Sequence, residues 1–499
     1  MENLFLKITS IYLLFYCLFR AFYSILWKPK WLERKLKQQG IRGNPYKPLV
    51  GDMKDFINQI NEACSKPISL CNEIVPRADP FTHNTVQKYG KTSIFWAGTT
   101  PRVILKDPEL IKEVLSNKQG HIGMPPMNPL ILILSKGLST LDGEDWFRHR
   151  NIIAPAFHTE KIKATIPAVS ETCFLLIEKW KKTSSLTGTC EIDVWPEFQQ
   201  LTGDIISRAA FGSNFEEGNM IIKLQKELQK LVLEAMQTLY IPGFRFIPTR
   251  KNQRRKSLNK SITAMLRTLI ERKESKIRTG GANGKDLLSL LLKSNKESDQ
   301  ESTASNKKNN HMTMDEIIEE CKQFYLAGSE TTSSLLTWTM IVLAMYPNWQ
   351  EKAREEVMRV CQKQPPTAAN ISQLKVMTMI LHEVLRLYPP VIALYKHTYK
   401  ETKIGNLSIP AGVDLVLPML LRFSEGVSKA SNDQLAFFPF GWGPKTCIGQ
   451  NFALVEAKTA LSMILQNFSF GLSSSYCHAP NTGMTLQPQH GALIILHQI

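Results

Sequence analysis

The sequence predicts a mainly α-helical fold with a small β-region, set behind an N-terminal transmembrane anchor helix. Three observations carry this. An apolar run opens the chain, long amphipathic stretches at the helical period fill most of the remainder, and one short segment reads as strands. With 499 residues, 43% of them hydrophobic and 21% charged, the chain can bury a large core.

From Leu4 to Trp27 the residues are mainly Leu, Ile, Phe and Tyr, long enough to cross a bilayer as a helix. Lys7 and Arg20 interrupt the run, and Arg20 lies near one end, where it can snorkel to the headgroups. Lys28, Lys30, Arg34, Lys35 and Lys37 follow at once, which places the rest of the chain in the cytosol. A cleaved signal peptide is the rival reading, but no small-residue cleavage site precedes the basic cluster. A buried core helix is the other alternative. The anchor is therefore assigned to residues 1–27 and a basic neck to 28–50, where Gly40, Gly43, Pro45 and Pro48 suggest a stiff, turn-rich path. Residues 51–499 form the remaining domain, with no second apolar span and no internal repeat.

Thr92–Leu105 is rich in Ile, Phe, Trp and Val and is broken by Gly98-Thr99-Thr100-Pro101, the pattern of a hairpin. Glu160–Lys182, Met220–Leu239 and Leu258–Lys276 read as amphipathic helices. Residues 293–310 hold one Ala and no larger apolar side chain, which predicts a flexible, solvated loop. Thr313-x-x-Glu316 then forms a capping box for an apolar run that ends at Pro347. At ~1.5 Å per residue this is a helix of roughly 50 Å, long enough to cross the whole core.

Sixty-one Lys and Arg against 44 Asp and Glu give a net charge of +17, which favours acidic partners or anionic lipid. The basic residues are scattered apart from short runs such as Arg254-Arg255-Lys256, so nucleic acid is not an expected partner. The nine cysteines form no Cys-x-x-Cys, which argues for free thiols in a reducing compartment and against disulfides or structural zinc.

Two motifs carry chemistry. The middle of the long helix reads Ala327-Gly328-Ser329-Glu330-Thr331-Thr332. Gly328 either lets another helix pack close or leaves room for a flat cofactor and a bound diatomic ligand. In the second case Glu330 and Thr331 offer a carboxylate and a hydroxyl for proton relay. The stronger motif runs from Phe437 to Asn451, a Gly/Pro-rich loop that holds Cys447 just before a helical pattern, Asn451–Leu465. N–H groups at a helix start favour a thiolate, while Gly443 and Gly449 permit a tight turn and close approach. Lys445 can pair with the acidic edge of a cofactor. A lone thiolate suits haem iron, which needs one axial donor from the protein. An inert buried cysteine would leave Phe-x-x-Gly-x-Lys-x-Cys-x-Gly unexplained.

Phe440 to Gly449 resembles the cysteine signature of the cytochrome P-450 superfamily, and FFPFGWGPKTCIGQNFALVEAK looks like its plant secologanin-synthase-like branch. The likeness extends through GLSTLDGEDWFRHRNIIAPAFH and LHEVLRLYPP. It implies a cytochrome P-450 fold holding haem b (iron protoporphyrin IX), with Cys447 as proximal ligand and Phe440 beside it. Glu330 and Thr331 match the family's acid–alcohol pair. Trp146 and Arg150, on one helical face, match its Trp-x-x-x-Arg, which holds a haem propionate. Glu383 and Arg386 match its Glu-x-x-Arg, an ion pair completed by a downstream arginine at Arg422. Glu351/Arg354 and Glu356/Arg359 show the same spacing and read as surface pairs of little consequence. The resemblance further implies a single-pass protein of the endoplasmic reticulum membrane, electrons from NADPH through NADPH-cytochrome P-450 reductase, and a hydrophobic substrate, here a terpenoid.

The chain departs from the family in three places. Lys445 stands for the signature arginine and keeps the charge without the bidentate fork. Lys396-His397 stands where an arginine often follows the Pro-Pro turn, which makes His397 a softer propionate partner. At 421/422, VDLVLPMLL runs straight into RFSEGVSK, without the acidic, aromatic stretch of roughly fifteen to twenty residues, each spanning up to ~3.5 Å, that relatives carry there. Three readings follow: an active monooxygenase, an impaired or haem-free splice variant or degraded copy of one, and a non-redox haem protein.

Overall fold

Helix Glu2–Phe22 passes through a π-helical turn, Tyr23–Trp27, into helix Lys28–Gln38 without a break. Neither Gly nor Pro occurs before Pro29, which sits in the first turn of the third piece, where a missing N–H is harmless. This computed structural model describes residues 2–184, 188–212, 215–236, 243–279, 286–302, 311–420 and 437–499. Among them, Phe5–Gln38 is the one helix long and apolar enough to cross a membrane. The neck is therefore helical in its first half, and the turns begin at Gly40 (φ 79°). Leu32 and Leu36, one turn apart, are buried in the domain's smaller core, and the Tyr46 hydroxyl donates to the Ile25 carbonyl at 2.6 Å.

The hairpin forms as expected, Thr92–Ala97 antiparallel to Thr100–Leu105, with the bend at Gly98 (φ 62°). Its alternating residues Ile94, Trp96, Val103 and Leu105 enter the smaller core. The hairpin is part of a six-stranded sheet completed by Arg42–Gly43, Asp414–Pro418, Ala393–Thr398 and Ile122–Gly123.

Everything else is mainly helix around one large core. The capping box closes as predicted: Thr313 accepts from the N–H of Glu316, whose carboxylate accepts from the N–H of Thr313. The helix it starts, Met314–Met345, is buried along most of its length and packs against Val194–Ile205, Lys375–Leu387 and Gln450–Asn467. The expected helix at 160–182 is two helices, Thr159–Lys163 and Ile166–Ser184, while the other two stretches become Phe215–Met236 and Arg250–Arg278.

The loop expected at 293–310 is corrected in its first part, because helix Leu287–Ser302 continues through it. Lys and Glu are good helix formers, so a helix can run here without any apolar residue. Asn295 anchors that stretch by bonding both the N–H and the carbonyl of Met312. The later part of the loop, 303–310, lies outside the described residues, as do the join at 421/422 and Arg422.

Candidate functional site

The Cys447 loop is shaped by two left-handed glycines, Gly441 (φ 77°) and Gly443 (φ 72°). At Gly443 a Cβ would sit 2.6 Å from the Leu115 carbonyl oxygen, so only glycine fits. Gly449 differs from expectation: its φ is −88°, and an added Cβ would make only ordinary contacts. It serves instead as the cap of helix Gln450–Asn467. The loop closes on itself where the Cys447 N–H donates to the Phe440 carbonyl at 2.9 Å.

Cys447 is solvent-accessible. Burial of its thiol among protein atoms nevertheless pushes it above the usual cysteine range. The N–H groups of Gly449 and Gln450 and the Arg150 guanidinium pull the other way. The N–H groups at the helix start thus act on the sulfur in the direction of the thiolate.

A cationic cluster lies beside the loop. Lys445 Nζ stands 5.4 Å from the centre of the Trp146 ring, donates to the Leu141 carbonyl at 2.8 Å and pairs with Asp142. Trp146 and Arg150 share helix Gly143–Ile153. Arg150 is half-buried and finds no hydrogen-bond or ion-pair partner among the described residues; burial lowers its pKa and nearby Cys447 raises it. The third cation at the cluster is Lys396, brought down to about 8 by burial and by Lys445, against the opposing pull of Asp142. His397 is not in this group. Its Nδ1 lies 2.7 Å from Asp414, which also faces Arg102, because alternation along strand Ala393–Thr398 turns the two neighbours to opposite sides.

The long helix meets this loop through Phe157. That ring packs edge-on to Phe324 at 5.8 Å and comes within 3.9 Å of the position a Gly449 Cβ would take. Thr331 lies two turns beyond Phe324 on the same face, with Ala327 between them. Ala327 is exposed and Thr331 half-buried in the middle of an otherwise buried helix, so this face borders accessible space. The Thr331 hydroxyl donates to the Ala327 carbonyl at 2.6 Å.

Glu330, one residue away, points elsewhere. It is buried, burial raises its carboxyl above the ordinary range, and the Lys226 ammonium and Gln229 partly offset this. Lys226 also feels Asp204, whose carboxyl is itself pushed up to about 6 by burial. The acid and the alcohol of the expected relay therefore face different surroundings. Gly328 serves helix packing: a Cβ there would sit 2.8 Å from Ile206 Cδ1.

Together these residues fit haem. A sulfur ringed by N–H donors, an unpaired guanidinium, two ammonium groups and an open helical face suit an iron porphyrin with two carboxylates.

The Glu383–Arg386 pair forms, with contacts of 2.8 and 2.6 Å, but the Glu383 side chain is 52% exposed rather than buried. The pairs read as inconsequential prove structural. Glu356 is 4% exposed and accepts the N–H groups of Lys375, Val376 and Met377 at 2.8–2.9 Å, capping the helix that carries Glu383. Arg354 reaches the carbonyls of Leu465 and Phe468. Sequence spacing shows only the partner on the same helix, so neither role was visible.

Among known proteins, the chain matches the family described as Cytochrome P450 over residues 77–422 and 419–495. It is 49% identical to "Cytochrome P450 CYP72A616" of Paris polyphylla, over 95% of this chain and 94% of that one. It is 44% identical to "Cytochrome P450 72A15" of Arabidopsis thaliana, over 97% and 96% of the two chains. "Secologanin synthase 1" of Catharanthus roseus is also 44% identical, over 94% and 93%.

Proposed function

The chain belongs to the cytochrome P450 family, and on that premise we propose a membrane-anchored haem-thiolate monooxygenase of plant secondary metabolism that oxidises a terpenoid. The observation that carries the reading is the setting of Cys447, one accessible sulfur faced by two helix-start N–H groups and by Arg150.

Haem iron, when bound, supplies activation of dioxygen, so that one oxygen atom enters the substrate and the other leaves as water after two electrons and two protons are delivered. The protein's own part is to place and protect. Cys447 would hold the iron through its sulfur, while Arg150, Lys445, Lys396 and Trp146 would hold the carboxylate edge. Thr331 presents a hydroxyl on the accessible face of the long helix. Glu330 lies on the buried side of the same turn, its carboxyl raised by burial and drawn back in part by Lys226. The electrons come from NADPH through a membrane reductase of the endoplasmic reticulum, and a protein of net charge +17 suits an acidic partner. Terpenoid chemistry rests on the likeness to relatives such as the secologanin synthases.

A second reading, a copy with impaired haem binding, is favoured by one observation. The family match is in two pieces that overlap at 419–422, where VDLVLPMLL runs straight into RFSEGVSK.

The test is a reduced-plus-carbon-monoxide spectrum of the full-length chain in membranes. A strongly red-shifted Soret band is expected, and it should be lost in Cys447→Ala. An unchanged spectrum in that variant would mean another ligand. Absence of haem from the wild-type chain would favour the second reading. Turnover of terpenoids with NADPH and reductase then tests the substrate class, and oxidation confined to other hydrophobic compounds would remove it.

A further inference from the structure

Between the helix that carries Trp146 and Arg150 and the helix that carries Thr331 runs a buried polar seam. His149 is 2% exposed, and its Nδ1 lies 2.6 Å from Oε1 of Glu320, which is itself fully buried on the long helix. Its Nε2 lies 3.4 Å from Glu316, one turn earlier. A carboxylate only accepts, so Nδ1 carries the hydrogen. The second Glu320 oxygen accepts the N–H of Leu138 at 3.1 Å, in the segment leading into helix Gly143–Ile153. Arg148 pairs with Glu316 at 2.5 Å and donates to the His311 carbonyl at 2.8 Å. This helix packs against Ala154–Phe157 and Leu287–Ser302, and His149 and Arg148 tie it to the long helix through Glu320 and Glu316.

Burial is costly for the His149 imidazole and the Glu320 carboxylate unless each is bonded, which makes the seam geometrically demanding. It also has leverage. Trp146 and Arg150 share one face, and His149 is the neighbour of Arg150 on the adjacent face. A roll of ~20° about the helix axis would swing a side-chain tip, ~6 Å out, by about 2 Å. That is enough to take the guanidinium out of reach of a carboxylate.

We propose that His149 is a positioning residue for the cofactor's carboxylate edge: its bond to Glu320 fixes the roll of helix Gly143–Ile153 against the long helix, so that Arg150 and Trp146 face the Cys447 loop. This rests on the haem-thiolate reading and extends it to a residue that touches neither iron nor substrate.

The test uses the full-length chain, haem loaded, and follows haem loss to a scavenging apoprotein together with the carbon monoxide spectrum. His149→Leu should accelerate haem loss about tenfold, the scale of a lost supporting hydrogen bond behind a cofactor contact. His149→Asn, which keeps an N–H donor for Glu320, should recover most of the loss. In an Arg150→Leu background the His149→Leu effect should shrink to less than about twofold, because both act through one contact. If His149→Leu does not fold, Glu320→Gln enters the same cycle with the same expected outcome. Unchanged haem loss, or acceleration as large without Arg150 as with it, would overturn the proposal while leaving the haem-thiolate reading intact. A wild-type chain that takes up no haem would overturn both.

Discussion

Glu456 lies on the helix that cups the Cys447 sulfur, is 1% exposed, and has neither carboxylate oxygen within reach of a hydrogen-bond donor among the described residues. Burial raises its pKa well above the ordinary carboxylate range. A raised folded-state value means that the group stabilises the fold fully below the pKa of the unfolded chain and progressively less as pH rises towards the folded value. Glu456→Met should therefore be neutral in acid and more stable than wild type at neutral pH. The gap should widen by up to about 1.4 kcal/mol per pH unit while the native group stays protonated. Thermal unfolding between pH 4 and 8 checks this, and a gap that narrows with rising pH would contradict it. Nothing in the residue pattern hints at this burial, because a glutamate in a helical pattern reads as a solvated position. Cys447 was legible for the opposite reason: glycines and a helix start surround it locally. The Lys396 contact was not, since choosing between Lys396 and His397 required the register of the strand.

At the scale of elements, what the sequence hid was reach between helices. The long helix was readable to within a residue at each end because its cap and its proline stop lie in the sequence beside it. The three N–H groups that Glu356 satisfies belong to a helix starting nineteen residues later, and no periodicity connects the two. Removing this acceptor strands donors at a helix start, where the helix dipole also favours a negative charge. Glu356→Ala should cost about 3 kcal/mol in denaturant unfolding, from charge-assisted bonds lost in a buried place. A cost under about 1 kcal/mol would mean that water replaces the carboxylate. Glu383, by contrast, is half-exposed, so Glu383→Ala should cost less than Glu356→Ala, the reverse of the ranking that sequence spacing suggests.

For the whole molecule, composition set the main features correctly: a large helical core, a modest sheet and one membrane-length helix. The length of that helix was underestimated. Apolar residues mark where lipid ends, whereas the helix itself runs on through the basic residues to Gln38 and docks Leu32 and Leu36 into the domain. The Tyr46 bond to Ile25 braces the same junction from the domain side. Rotation and height are then geared together as on a screw: one added residue turns the domain by ~100° and lifts it by ~1.5 Å. A single alanine inserted after Phe22 should change the fluorescence quenching of domain tryptophans by lipid-borne quenchers, while four alanines should nearly restore the original heading one turn higher. A slack leash would respond to neither. On the anchored reading proposed above, the stalk works as a ruler: a count of its residues sets how far the domain stands from the lipid.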